Sequence, residues 1–187
     1  KQPSTGLYVE YIIRQAIRAK EKTMNYTLEQ FCEDCHKAFS ADDGSTGRKA
    51  VQNFLEKLLV NEVFITQHLK NQNTGKTILY HDQEFDFYVM AHGTDLGNRK
   101  GKPHDHGPSW AVYGQATGIT NMTLWNRLDD NSRAGYAELK EGPTFALEPG
   151  KAALFDTGII HSTAHPRPAR WVRVTGTNLD TIERYSY

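Results

Sequence analysis

The sequence has few cysteines, no excess of either charge and no long apolar run, and each absence argues against a class of protein. Two cysteines in 187 residues are too few for a disulfide framework. The 22 Lys and Arg residues balance 22 Asp and Glu residues, which argues against a nucleic-acid or anionic-membrane partner. No apolar run approaches the roughly 20 residues of a membrane helix, and the first residues lack the pattern of a signal peptide. We therefore expect a cytoplasmic protein with one core.

The two cysteines belong to the string Cys32-Glu-Asp-Cys35-His36, which matches the attachment motif of a c-type haem. The same segment also begins with a plausible helix N-cap, Thr27, and continues with apolar residues at helical spacing up to Phe39. We therefore predict a helix with partly buried thiols rather than a haem site.

Two regions differ in hydrophobic period. Between residues 7 and 69 the apolar residues recur with helical spacing, and a polar break at residues 42–47 separates the second of three predicted helices from the third. After Asn71 the period becomes two, as in residues 85–90, and turn signals follow at short intervals. We predict a helical segment over residues 1–72 packed on an antiparallel β-sandwich or barrel over residues 73–187.

The histidines of the second region indicate a metal site. On a strand, His104 and His106 would point to one face and Asp105 to the other. By itself this pair also fits a solvated polar loop. A third histidine, His161, follows two isoleucines, in apolar surroundings that disfavour its charged form. We predict that His104, His106 and His161 bind one divalent metal ion.

The spacing of these histidines resembles the two motifs of the cupin superfamily. In the first motif, Gly118 matches the last glycine, Gly97 lies one residue too far upstream, and Ala111 replaces the usual acidic ligand. In the second motif, the matching residues are Gly150, Gly158 and His161, with Asp156 in place of a proline and His165 in place of an asparagine. The resemblance implies an all-β cupin fold, a double-stranded β-helix or jelly-roll-like barrel, with an N-terminal helical segment.

The segment from His104 to Gly114 looks most like the cysteine dioxygenase-like thiol dioxygenases, which use three histidines without a glutamate. This resemblance implies an Fe(2+) cofactor, dioxygen and a small chelating substrate that is oxidised to a sulfinate. Three neutral imidazoles on one face of an octahedron also leave three positions open for such a substrate and dioxygen. Zinc hydrolysis with three histidines and a water stays open but ranks lower, because it needs a general base and the sequence assigns no residue to that role. A three-His C–C-cleaving dioxygenase acting on a β-diketone-like chelator and a non-catalytic metal- or ligand-binding cupin remain alternatives.

The sequence departs from the thiol dioxygenases at positions that matter for the substrate. The run from Lys76 to Asp82 lacks the arginine that binds the carboxylate of cysteine, and residues 173–179 replace the Ser-X-His-X-Tyr string of that group. Ala111 also excludes the Cys-Tyr crosslink found in some members. We therefore expect a small thiol other than free cysteine.

Five side chains are predicted to bind the substrate, and two histidines are set aside. Arg173 is the expected partner of a substrate anion, and the other four are Tyr113, Trp110, Gln115 and Tyr88. His165 is expected to face away from His161 and is left out of the metal set, and His92 is either a supporting residue or a strand end. The oligomeric state is left open.

Overall fold

The computed structural model describes residues 9–10, 13–14, 25–71 and 74–187. The helices described in full are α1 (Leu28–Ala41), α2 (Ser45–Leu58) and α3 (Glu62–Ile65), and α3 continues into a π-helical turn at Thr66–Lys70. The first predicted helix lies largely outside the described residues. No helix in the described ranges is both long and apolar enough to cross a membrane.

Helix α1 forms where the sequence predicts it, because its first turn is capped from both sides. Thr27 accepts a hydrogen bond from the backbone N–H of Gln30, and the Gln30 side chain accepts one from the N–H of Thr27. The buried face of the helix carries Cys32 and Cys35. Burial raises the pKa of Cys32 to about 12 and that of Cys35 well above its ordinary value, so both are core thiols.

The polar break before α2 is shorter than predicted. The Asp42 carboxylate accepts a hydrogen bond from the backbone N–H of Gly44 at 2.7 Å, which closes the turn within residues 42–44. Helix α2 therefore begins at Ser45 and already includes Gly47.

Nine strands are described in the second region, and all their pairings are antiparallel. They are β1 (Gly75–His81), β2 (Tyr88–Thr94), β3 (Arg99–Lys100), β4 (Ala111–Thr117), β5 (Thr120–Arg127), β6 (Leu139–Leu147), β7 (Ala152–Phe155), β8 (His161–His165) and β9 (Ala169–Thr175). One sheet has the order β1-β2-β9-β4-β7, and the other has the order β3-β8-β5-β6. Without the edge strand β1, these are the two four-stranded sheets of a jelly roll, so the predicted double-stranded β-helix, or jelly-roll-like, fold with N-terminal helices is confirmed.

The period-two segment at residues 85–90 was predicted as a strand, but β2 begins only at Tyr88. Asp82 accepts hydrogen bonds from the backbone N–H groups of Glu84 and Phe85, which forms a turn, and Asp86 has a φ of 54°. Local hydrogen bonding to a single carboxylate therefore overrides the alternating pattern in the first half of this segment.

The five-stranded sheet separates two apolar clusters. Its outer face, with Val112, Val172 and Val174, packs against α1 and α2. Its inner face lines the barrel with Ala111 and Tyr113, which pack against residues such as Phe155. Side chains one position apart on β4 therefore serve either the helical layer or the barrel interior.

Candidate metal centre

The first histidine pair lies in an extended segment rather than in the strand predicted for it. His104 forms an isolated β-bridge with His161, and their backbones exchange two N–H···O hydrogen bonds of 2.9 Å. Asp105 is directed away from the histidines, because its carboxylate accepts hydrogen bonds from the Gly107 N–H and the Tyr187 hydroxyl, both at 2.9 Å. The bridge places the first and third histidines side by side.

The three imidazoles converge inside the barrel. The ring centroids of His104 and His161 are 4.5 Å apart, those of His106 and His161 are 4.9 Å apart, and those of His104 and His106 are 5.7 Å apart. One nitrogen from each ring lies within 4.8 Å of the other two. Within the described ranges this is the only such group of His, Cys, Asp or Glu side chains, and it contains no carboxylate.

Hydrogen bonds leave ring nitrogens free to bind a metal ion. Nδ1 of His104 donates to the carbonyl oxygen of Lys102 at 3.0 Å, and Nδ1 of His161 donates to that of Ile159 at 3.4 Å. Because a carbonyl can only accept, both rings keep an unprotonated Nε2. Nε2 of His161 and Nδ1 of His106 are buried without a hydrogen-bond partner, which fits a site that a metal ion completes.

The surroundings keep these imidazoles neutral. Burial, followed by the nearby His161 and His104, lowers the pKa of His106 to about 2. Burial and then His104 lower the pKa of His161 to about 3, and burial also lowers the pKa of His104. Neutral imidazole is the form that binds a divalent metal ion.

Of the three histidines, His104 borders a cavity of about 140 Å³, which we call the inner cavity. Tyr113 lines it, and its hydroxyl lies 3.3 Å from Nε2 of His106. The ring of Phe155 stacks on the His161 imidazole with centroids 4.0 Å apart. Tyr113 therefore gives the inner cavity a hydroxyl beside His106, and an apolar ring covers one face of His161.

Arg173 brings a positive charge to the inner cavity. It lies on β9 between its register partners Met90 and Tyr113, and its Nη2 is 3.9 Å from the Sδ atom of Met90. Its Nε is buried without a hydrogen-bond partner, and no carboxylate of the described residues forms an ion pair with it. A half-buried guanidinium with an unpartnered Nε and no counter-charge favours an anionic ligand.

The other side chains predicted to bind the substrate lie elsewhere. Gln115 is buried behind the cavity and accepts a hydrogen bond from the Thr120 hydroxyl at 2.7 Å. Trp110 packs in the helix-facing core, with its ring 5.6 Å from that of Phe39. Tyr88, at the start of β2, stacks on His81 with centroids 3.9 Å apart. None of the three is among the side chains that line the inner cavity.

The expectation that His165 faces away from His161 was wrong. Both lie on β8, where residues an even number of positions apart share a face, and His165 lines the inner cavity. Its Nδ1 is 3.1 Å from the Thr120 hydroxyl, and its ring stacks on Trp171 with centroids 4.5 Å apart. Sequence reasoning missed Thr120 and Trp171, although the position of Trp171 two residues before Arg173 could have identified it.

The comparisons with known proteins find solved structures of low sequence identity and add nothing about the chemistry. The sequence matches no protein-family model and no curated protein. Among solved structures, KdgF from Halomonas sp. is 16% identical with a TM-score of 0.44, over 63% of this chain and 94% of that one. A double-stranded β-helix protein from Klebsiella pneumoniae is 14% identical with a TM-score of 0.44, over 62% and 80%. DMSP lyase DddQ from Ruegeria pomeroyi is 13% identical with a TM-score of 0.41, over 63% and 51%.

Proposed function

We propose that the protein is a non-haem Fe(II)-dependent dioxygenase that oxidises a small thiol, other than free cysteine, to a sulfinate. The observation that carries the proposal is the convergence of three neutral imidazoles on one point without a carboxylate among the described residues. Such a site leaves the full charge of a divalent ion for exogenous anions, which suits a chelating substrate better than a hydrolytic water. The choice of thiol and iron rests on the resemblance of the His104–Gly114 segment.

The reaction adds both atoms of dioxygen to sulfur. The thiol loses its proton, the O–O bond breaks as two S–O bonds form, and the electrons that reduce dioxygen come from the sulfur atom. When bound, Fe(II) would supply Lewis acidity and redox chemistry for the reaction of the thiolate with dioxygen. The overall balance requires no other reductant.

Side chains of this protein would bind the metal ion, bind the substrate and exclude water from the site. His104 and His161 would hold the metal ion through the Nε2 atoms that their backbone hydrogen bonds leave free, and His106 would bind it through one of its ring nitrogens. Arg173 binds the substrate carboxylate, because no carboxylate of the described residues satisfies its guanidinium and its fork of donors suits a planar anion. The Tyr113 hydroxyl is placed to hydrogen-bond His106 or the substrate, and the Phe155 ring excludes water behind His161.

A substrate panel tests this proposal. Protein loaded anaerobically with Fe(II) is given cysteine, 3-mercaptopropionate, mercaptosuccinate, cysteamine or acetylacetone, and oxygen uptake and product mass are recorded. We expect a product heavier than the thiol by two oxygen atoms, with a carboxylate-bearing thiol that has no ammonium group preferred over cysteamine and over cysteine. The highest specificity constant for cysteine would contradict the substrate assignment, and consumption of acetylacetone alone would replace thiol oxidation by C–C cleavage.

A further inference from the structure

A second cavity, which we call the mouth, opens next to the inner cavity. Its volume is about 320 Å³, and the side chains that line it include Lys76, His92, Arg99 and Lys100. His165 and Trp171 line both cavities. The stacked rings of His165 and Trp171 therefore mark the boundary at which the inner cavity meets the mouth.

Every charged side chain that lines the mouth is cationic. Lys76 forms an ion pair with Asp180, whereas Arg99 and Lys100 have no carboxylate partner among the described residues. Beyond the effect of burial, the charge of Arg99 lowers the pKa of His165. In a chain with a formal net charge of zero, this local concentration of positive charge favours an anion.

His92 contributes a hydrogen-bonding group without a charge. Its ring stacks on Trp171 with centroids 5.4 Å apart and planes 10° apart. Its Nε2 is buried without a hydrogen-bond partner, and burial followed by Arg173 and Lys76 lowers its pKa well below the ordinary value. A neutral imidazole with an unpartnered nitrogen can donate a hydrogen bond to an anion in the mouth.

The size of the inner cavity limits what it can hold. At about 140 Å³ it is close to an engineered protein cavity of about 150 Å³ that binds benzene. A thiol with one carboxylate at Arg173 fills such a space, so a second carboxylate has to extend past His165 and Trp171 into the mouth. A second carboxylate that extends past His165 and Trp171 would therefore meet the cationic side chains of the mouth.

We propose that the mouth is a second carboxylate subsite, in which Arg99 and Lys100 bind an anion that accepts a hydrogen bond from His92. The substrate class is then a small dicarboxylate thiol, with one carboxylate at Arg173 and the other in the mouth. This substrate assignment rests on the proposed dioxygenase function, whereas the subsite itself is tested without any oxidation.

Binding of simple carboxylates tests the subsite. Titration calorimetry at low ionic strength compares succinate with propionate on the protein as purified. We expect succinate to bind at least about tenfold more tightly, equivalent to about 1.4 kcal/mol.

Lys100→Glu should remove most of this difference and change propionate affinity less than about twofold. Lys140→Glu is the matched control, because Lys140 lies on β6, at the opposite edge of the sheet from β3. Equal affinities for succinate and propionate, or equal effects of the two variants, would overturn the subsite.

Oxygen uptake then separates the subsite from the proposed function. With Fe(II)-loaded protein we expect mercaptosuccinate to have a specificity constant about tenfold above that of 3-mercaptopropionate, and Lys100→Glu to remove that preference. If succinate binds as expected but no thiol is oxidised, the dioxygenase proposal fails and the carboxylate subsite stands. If both thiols are oxidised equally well and Lys100→Glu affects neither, the subsite fails and the dioxygenase stands.

Discussion

Ala111 occupies the position at which the cupin motif that the sequence resembles has its acidic ligand. It lies on the inner face of β4, fully buried in the cluster that contains Tyr113 and Phe155, and it pairs across the sheet with Phe155. Because the Phe155 ring stacks on His161, this position lies close to the three-His group. The resemblance to cupins places an acidic ligand here, and a methyl group takes its place.

An Ala111→Glu variant should convert the site to four protein ligands. We expect the variant to retain its metal ion and to lose more than about 90% of its thiol-oxidising activity, because the carboxylate takes an open position. Ala111→Gln has nearly the same volume and serves as the control for overpacking, which costs about 1–3 kcal/mol. Metal content and oxygen uptake are measured for both variants. A fully active Ala111→Glu protein would mean that Ala111 does not face the metal ion.

Arg173 lines the inner cavity with a charge that should cost the folded protein stability. Its guanidinium carries a charge that no carboxylate of the described residues balances, and its Nε has no hydrogen-bond partner. Replacing such a group by an apolar side chain of similar length removes a desolvation cost from the folded state.

We therefore expect Arg173→Met to raise the free energy of unfolding by about 1 kcal/mol in urea titrations. The same variant should lose its affinity for carboxylate thiols. Arg167→Met, an exposed position, is the control, and a fall in stability for Arg173→Met alone would contradict the account.

At the scale of elements, β4 approaches α2 and the residue after it so closely that any side chain at residue 114 would have to displace Leu55 or Leu59. A Cβ atom on Gly114 would lie 2.6 Å from Leu55 and 2.7 Å from Leu59. Tyr113 is the neighbouring residue and points into the barrel, so the helical layer supports the strand that carries a wall of the inner cavity.

Gly114→Val should therefore destabilise the protein by about 1–3 kcal/mol through overpacking. The second variant is Leu55→Ala, which leaves a void on the helix side and should cost about 2–5 kcal/mol alone. In the double variant the valine occupies part of that void, so we expect the total loss to be smaller than the sum of the two. Chemical denaturation of the four proteins measures this coupling, and strict additivity would show that the two side chains do not meet.

The turn between β1 and β2 is tied to α1 through one buried carboxylate. Asp82 accepts hydrogen bonds from the backbone N–H groups of Glu84 and Phe85, from the His36 ring at 2.8 Å and from the Tyr80 hydroxyl. Burial alone would raise the pKa of Asp82, but these donors hold it below its ordinary value. The hydrogen bond to Asp82 in turn raises the pKa of His36.

Asp82→Asn should cost about 2 kcal/mol of stability, and the cost should depend on pH. Because its folded-state pKa is lowered, Asp82 stabilises the fold above its unfolded pKa of about 3.9 and loses that effect as the pH falls through the folded value. Because its folded-state pKa is raised, His36 contributes fully below about 6.5 and less as the pH rises through the folded value. Urea titrations should show the largest difference from wild type between about pH 4 and pH 6.5. The exposed Asp43→Asn is the control, and a difference that does not vary with pH would contradict this coupling.

At the scale of the whole molecule, the sequence predicts the fold and the metal-binding group better than it predicts the cavity. The helical and alternating periods locate α1, α2 and the β region, and the resemblance to cupins identifies His104, His106 and His161 as one group. Hydrophobic periods are local in sequence and the histidine motifs have a fixed spacing, so both can be recognised without the structure. The turn at Asp82 defeats the alternating pattern, because a side chain there competes for backbone hydrogen bonds.

The walls of the two cavities were harder to predict, because they depend on strand register. The mouth collects Lys76 from β1, His92 from β2, Arg99 and Lys100 from β3, and His165 from β8. No spacing within one segment places these residues together. Trp110 was predicted to line the cavity because it follows the histidine pair in sequence. Its ring lies instead in the core between the helices and the sheet, and the packing of these elements decides its position.

Elemental analysis of protein purified without added metal tests the central claim most directly. We expect about one transition-metal ion per chain in the wild type, mostly iron, and most of it to be lost in His161→Ala, because two imidazoles hold a divalent ion poorly. His165→Ala is the matched control, since His165 borders the same cavity but lies outside the three-His group, and it should keep its metal. Wild-type metal content in His161→Ala, or loss only in His165→Ala, would contradict the three-histidine site.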